Sequence, residues 1–159
     1  MFAEIVTYFK IGLDHILNIS AWDHILFLSV LGVFYPKQQW KNILYLITAF
    51  TLGHFISLIL IYFFIDFISS NIIEALIPIT IIISALCCLL KHTKNEPIFS
   101  PKWNLFEYAL IFVFGLIHGA AFGQSLFILI DKVQSLLVPV LFFNLGIEIA
   151  QIIYLTFFL

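Results

Sequence analysis

The tetrapeptide Asp-His-Ile-Leu occurs twice near the start of the chain, at residues 14–17 and again at residues 23–26. Further on, His54, His118 and Glu148 each stand alone among apolar residues, and Glu74 opens another apolar run. Imidazole suits zinc, copper, iron and nickel, and adding carboxylate moves a site away from soft Cu(I). The chemistry these residue types offer is therefore binding of a divalent transition metal, either to carry it or to use it.

Geometry limits how the residues can combine. On one continuous helix a nine-residue step turns through about 900°, which puts His15 and His24 on opposite faces. A shared site requires a break, and Ser20 with Asp23 in a Ser-x-x-Asp pattern supplies one by starting a new helix at Ser20. His15, Asp23 and His24, supported by Asp14, then form an outer entry site. The bland reading is that Asp23 only caps a helix and His24 only sits in an aromatic belt. His54, His118 and Glu148 fall near the middle of their apolar runs and form a second, midplane trio. An ionisable group at that depth costs at least about 2.5–3.5 kcal/mol unless it is paired or faces water. Any one of the three alone reads as readily as a satisfied core residue.

Those costs arise because the elements positioning the residues are membrane spans. Hydrophobic residues make up 63% of the 159-residue chain against 10% charged, and the mean hydropathy is +1.14. A soluble core of this size could not hide so much apolar surface. The expected fold is an all-α, polytopic transmembrane helix bundle forming one domain over 1–159. Runs of spanning length fall at 21–36, 42–66, 72–91, 105–130 and 136–158. The piece before them, 2–19, is amphipathic and is expected to be interfacial or re-entrant. Pro78 and Pro139 fall within spans, where a proline can kink a helix. The N-terminus lacks signal-peptide features. The chain stops at Leu159 inside an apolar run, so either a further helix follows or the last span ends there.

Lys37 and Lys41 flank the first connection, Lys91, Lys94 and Lys102 the third, whereas the second has no lysine. The positive-inside rule makes the first and third connections cytoplasmic and turns the N-terminus outward, as expected in a prokaryotic inner membrane. With no arginine and no basic patch, nucleic acid is not an expected partner. The expected partners are a metal ion and the lipid bilayer, with a second copy or an accessory role left open. Cys87 and Cys88 are adjacent, poor geometry for a disulfide, and read as buried packing.

Neighbouring residues fit a polar interior. Asn144, Glu148 and Gln151 follow i, i+4, i+7 spacing, a single polar stripe on the last span. Thr48, Thr51, His54 and Ser57 repeat every three residues and offer supporting hydroxyls. Gly115, Gly119 and Gly123 form two overlapping Gly-x-x-x-Gly units that admit another backbone beside His118.

Five segments in order, GLDHILNISAWDHILFL (12–28), TAFTLGHFISL (48–58), IEALIPITI (73–81), FGLIHGAAFG (114–123) and FFNLGIEIAQ (142–151), resemble the HupE/UreJ family of small membrane proteins. The resemblance implies a nickel permease or an accessory of hydrogenase and urease systems, with His15, Asp23, His24, His54, Glu74, His118 and Glu148 at the family's polar positions. The wide spacing from His15 to Asp23, Phe55 after His54 and Trp22 before Asp23 depart from the better-known nickel permeases. The function expected on this basis is a permease whose substrate is nickel or cobalt. The alternative is an intramembrane zinc hydrolase acting on a lipid ester or amide, with Asp23 or Glu148 as base and Ser57 as polar helper. A third, least favoured, is an assembly subunit whose polar residues only fix helix packing. No phosphate-cradling loop is present, so ATP hydrolysis by that route is not expected.

Overall fold

The computed structural model describes residues 2–64, 69–93, 101–129 and 136–158. Six helices account for nearly all of them: α1 (Phe2–Leu17), α2 (Trp22–Phe34), α3 (Trp40–Phe64), α4 (Ser70–Thr93), α5 (Pro101–Leu129) and α6 (Leu137–Phe158), with a 3-10 turn at Lys37–Gln39. Lys94, one of the lysines that set the expected topology, lies outside the described residues. Four helices, α3 to α6, are each long and apolar enough to cross a membrane, and α1 with α2 makes a fifth if the pair counts as one span. At 13 residues, α2 alone reaches only about 20 Å of the roughly 30 Å hydrocarbon core. It needs α1 behind it.

The two meet at a bend of 68°, and its cause differs from the expected cap. Asn18 ends α1: its backbone N–H donates to the Asp14 carbonyl, while its side-chain Oδ1 accepts the Ser20 N–H at 2.9 Å. Its own carbonyl accepts the Ala21 N–H. This local side-chain turn gives the backbone an alternative to continuing the helix. The next helix then starts at Trp22, with Ala21 at the cap position and no side-chain cap bond. Ser20 is therefore not the cap, and the Asp23 carboxylate accepts the His24 N–H instead.

Two backbone crossings hold the bundle. At Gly12 of α1 an added Cβ would run into the Phe143 carbonyl of α6, and at Gly146 into the Phe9 carbonyl, so the glycines face one another where α1 lies along α6. This explains why α1, whose amphipathic pattern suits an interface, is fastened to the bundle. The second crossing joins α3 and α5: Gly53 meets Phe112, while Gly115 and Gly119 meet the backbone at Phe50 and His54. Helix association in lipid depends on such close packing because tails are as apolar as side chains. The expected role of the Gly-x-x-x-Gly units is thus realised at 115 and 119, whereas Gly123 faces the Ile61 side chain.

Helix α4 is the peripheral element, packed on α2 and α5, and it turns Ile72, Ile79, Ile82, Leu86 and Leu90 outward. In a bilayer these cover lipid-facing area. Pro78 lies within it. Pro139 sits in the first turn of α6, where a missing N–H breaks no helical bond, so no kink arises there. Cys87 and Cys88 are free thiols, and Cys88 is buried.

Candidate metal centre

Once α2 bends away from α1, the two histidines nine residues apart turn toward each other, and their ring centroids lie 4.6 Å apart. The α3–α5 crossing does the same from the other side. Gly119 admits the backbone of His54 beside the turn that carries His118. The result is one row of imidazoles: His118 to His24 at 4.8 Å, His24 to His15 at 4.6 Å and His15 to His54 at 5.9 Å between centroids. Entry and midplane groups expected to be separate share one chamber.

Hydrogen bonds orient each ring. The Asp23 carboxylate accepts a bond from His24 Nδ1 at 2.9 Å, which leaves His24 Nε2 as the acceptor nitrogen. That nitrogen faces His118 Nδ1 at 3.3 Å, and Asp23 Oδ2 lies 3.7 Å from the same His118 nitrogen. With Nδ1 of His118 donating, its Nε2 carries the lone pair. For His54, Asn144 decides. The Asn144 amide donates to the Val140 carbonyl at 2.7 Å, which fixes its oxygen toward His54, and Oδ1 accepts from His54 Nδ1 at 3.1 Å. His54 Nε2 is then a lone-pair nitrogen as well.

Nε2 of His15, His54 and His118 are all buried, with no hydrogen-bond partner among the described residues. Buried polar nitrogens left so are uncommon, because each costs the desolvation of a lost bond. Three in one chamber, two of them oriented by a bond at the opposite ring nitrogen, have the arrangement of metal ligands backed by supporting groups. Asp23, His24 and His118 each offer one ligand atom, all within 4.8 Å of one another. Ligands on opposite sides of an ion with bonds of about 2.0–2.1 Å are at most about 4.2 Å apart. A small inward movement would let one ion reach all three.

The chamber opens on one side. Asp14, His15, Asn18, Asp23 and His24 line a cleft of about 480 Å³ with Phe122 at its inner wall, and Asp14 is exposed at its rim. On the other side the rings of Phe27, Phe50 and Phe114, none of them accessible, close beneath His118. Phe114 lies 4.2 Å and Phe50 5.5 Å from it.

The remaining candidate residues lie elsewhere. Glu148 is not brought to His54 and His118: its carboxylate accepts a 2.6 Å bond from Thr48 and lines a separate cleft of about 270 Å³ between α3 and α6. Its stripe neighbours divide, since Asn144 reaches inward to His54 while Gln151, fully buried, meets the Thr51 hydroxyl at 3.2 Å. Ser57 is buried against Gly119, and Glu74 is exposed on α4.

The sequence reading passed over another polar group. Glu107 of α5 and Lys91 of α4 form a buried ion pair, and Tyr35, just past α2, donates its hydroxyl to the same Glu107 oxygen at 2.9 Å. Its signal was available: Glu107 lies one, two and three turns before Ile111, Phe114 and His118 on the same face of α5.

Fold and site together define an all-α integral membrane protein with a buried histidine–carboxylate cluster reached from one side. The chain belongs to the HupE / UreJ protein family, which it matches over residues 1–159. Neither the curated proteins nor the solved structures contain a match to it.

Proposed function

We propose that the chain is a permease for a divalent transition metal of the nickel or cobalt type, with the ion as substrate. The observation that carries this reading is the set of buried Nε2 atoms on His15, His54 and His118, each without a hydrogen-bond partner among the described residues, in a chamber continuous with an open cleft. An ion entering past Asp14 would meet the Asp23–His24 pair first. His118 would complete its ligands, and the row through His15 to His54 offers successive positions at similar spacing. The Asp23 carboxylate, which orients His24, would offset part of the divalent charge. Family membership supports metal transport or an accessory role in metal supply. The lysines at the far end of the bundle would place that end in the cytoplasm and the cleft outside.

Proteoliposomes test the reading directly. Vesicles carrying the full chain should accumulate Ni²⁺ or Co²⁺, and His24→Ala or His118→Ala should lower the initial rate at least tenfold while leaving the helical circular dichroism unchanged. Vesicles that show no flux, from protein that retains about one zinc through washing and hydrolyses lipid, would overturn the permease and favour the zinc hydrolase.

A further inference from the structure

Helices α2 and α5 face each other through side chains in matching layers. His24 meets His118 at 3.3 Å between ring nitrogens, Phe27 meets Phe114 at 4.5 Å between centroids, and Tyr35 meets Glu107 through a 2.9 Å hydrogen bond. Leu31 and Ile111, both buried, fall between the last two layers. The residues recur at 24, 27 and 31 on α2, with 35 directly after its end, and at 118, 114, 111 and 107 on α5, so each sequence keeps one face on the seam. Eleven residues at 1.5 Å make the seam about 16 Å long. It has polar groups at both ends and an apolar plug in the middle.

The lower end has the features of a cation site that is already filled. Glu107 is 4% exposed. One of its oxygens takes both the Tyr35 hydroxyl and the Lys91 ammonium, while the other, Oε2, is buried without a partner among the described residues. A carboxylate held at such depth needs a positive charge beside it. Lys91 supplies one from a flexible four-carbon stem on α4, the helix at the edge of the bundle, and Cys88 stands one turn earlier beside Tyr35 and Lys91. An ion-pair staple for α4 would account for the Lys91–Glu107 contact alone. It does not account for the orphaned oxygen, nor for the position of the pair at the end of a seam that begins at the histidines.

We propose that Glu107, with Tyr35, is a second cation site at the inner end of the α2–α5 seam, closed from the histidine cluster by the phenylalanine layer and held by the Lys91 ammonium when no ion is present. Its place on a transport path rests on the permease reading; its capacity to bind does not. An arriving divalent ion displaces Lys91, which swings toward the aqueous end of α4, and the returning ammonium later expels the ion. Either the ammonium or the ion thereby neutralises the buried carboxylate at every stage.

Calorimetric titration of the full chain in detergent with Co²⁺ separates the alternatives. Wild type should bind one ion tightly, its Glu107 site weakened by competition with the Lys91 ammonium, Lys91→Met and Lys91→Gln should bind two tightly, and adding Glu107→Gln to either should return the count to one. A count of one in single variants that retain their helical dichroism overturns the proposal. Because an unpaired Glu107 risks misfolding, the exchange Lys91→Glu with Glu107→Lys supplies a second arm: it keeps the ion pair, and therefore the fold, but moves the carboxylate off the seam. Vesicles carrying the exchanged protein should take up Co²⁺ at least tenfold more slowly than wild type, and wild-type uptake would reduce the pair to a staple. Absence of uptake in wild-type vesicles would remove the permease reading, whereas a count of two in Lys91→Met would still establish the site.

Discussion

Replacing Asn144 by leucine tests the claim that ring orientation prepares the histidines for an ion. The substitution nearly conserves volume but removes the acceptor for His54 Nδ1, now at 3.1 Å, and the donor to the Val140 carbonyl. His54 is fully buried, so its Nδ1–H would be stranded at a cost of about 1–3 kcal/mol. The ring can avoid part of that cost by shifting its proton to Nε2, which turns the lone pair away from the chamber. Loss of a supporting partner typically weakens metal affinity about 10–100-fold, or about 1.4–2.8 kcal/mol at 1.4 kcal/mol per tenfold. Calorimetry with Co²⁺ on the detergent-solubilised protein should show that weakening, and Asn144→Asp, which keeps an acceptor, should recover most of it. Unchanged affinity in a folded Asn144→Leu protein would refute the argument that Asn144 fixes the His54 tautomer for binding.

Three further outcomes follow from the geometry. Glu148→Gln should leave Co²⁺ affinity within about threefold of wild type, because its carboxylate is bonded to Thr48 and lines a cleft that none of the histidines lines; a loss of tenfold or more by calorimetry would bring Glu148 back into the ligand set. Gly119→Ala should lower thermal stability by about 1–3 kcal/mol, since its Cβ would come within 2.6 Å of the His54 carbonyl oxygen, and a melting temperature equal to wild type would show that the α3–α5 crossing gives way freely. In a protein lacking Cys87 and Cys88, cysteines placed at Gln38 and at Ser69, both exposed, should react with an impermeant maleimide from opposite sides of the membrane, and labelling from one side would break the span assignment between them.

Much of this protein is legible from its sequence because lipid imposes a simple rule. A bilayer leaves only helices or closed barrels able to satisfy the backbone, so apolar runs of about 20 residues mark the spans within a few residues of where α3 to α6 begin and end. The need for a break between His15 and His24 follows from helical rotation alone. Composition also flags the ionisable residues worth pursuing, because each is costly where it stands.

Tertiary structure decided which of them meet. Depth along a span placed His54, His118 and Glu148 at one level, but depth says nothing about rotation around the helix axis. That rotation was set by where the glycines let backbones touch: Gly115 and Gly119 turned His118 toward α2 and α3, while the Gly12–Gly146 crossing oriented α6 so that Asn144 faces the cluster and Glu148 faces Thr48. The break itself came from Asn18 and not Ser20: two polar residues two positions apart both suit a helix end, and here the Asn18 side chain accepts the Ser20 N–H, so the turn closes around Asn18 and Ser20 caps nothing. The Lys91–Glu107–Tyr35 group was hidden for a related reason. Its members come from α4, α5 and the residue that follows α2, and a lysine or glutamate near the end of a span reads as an interfacial flank until the fold shows it buried.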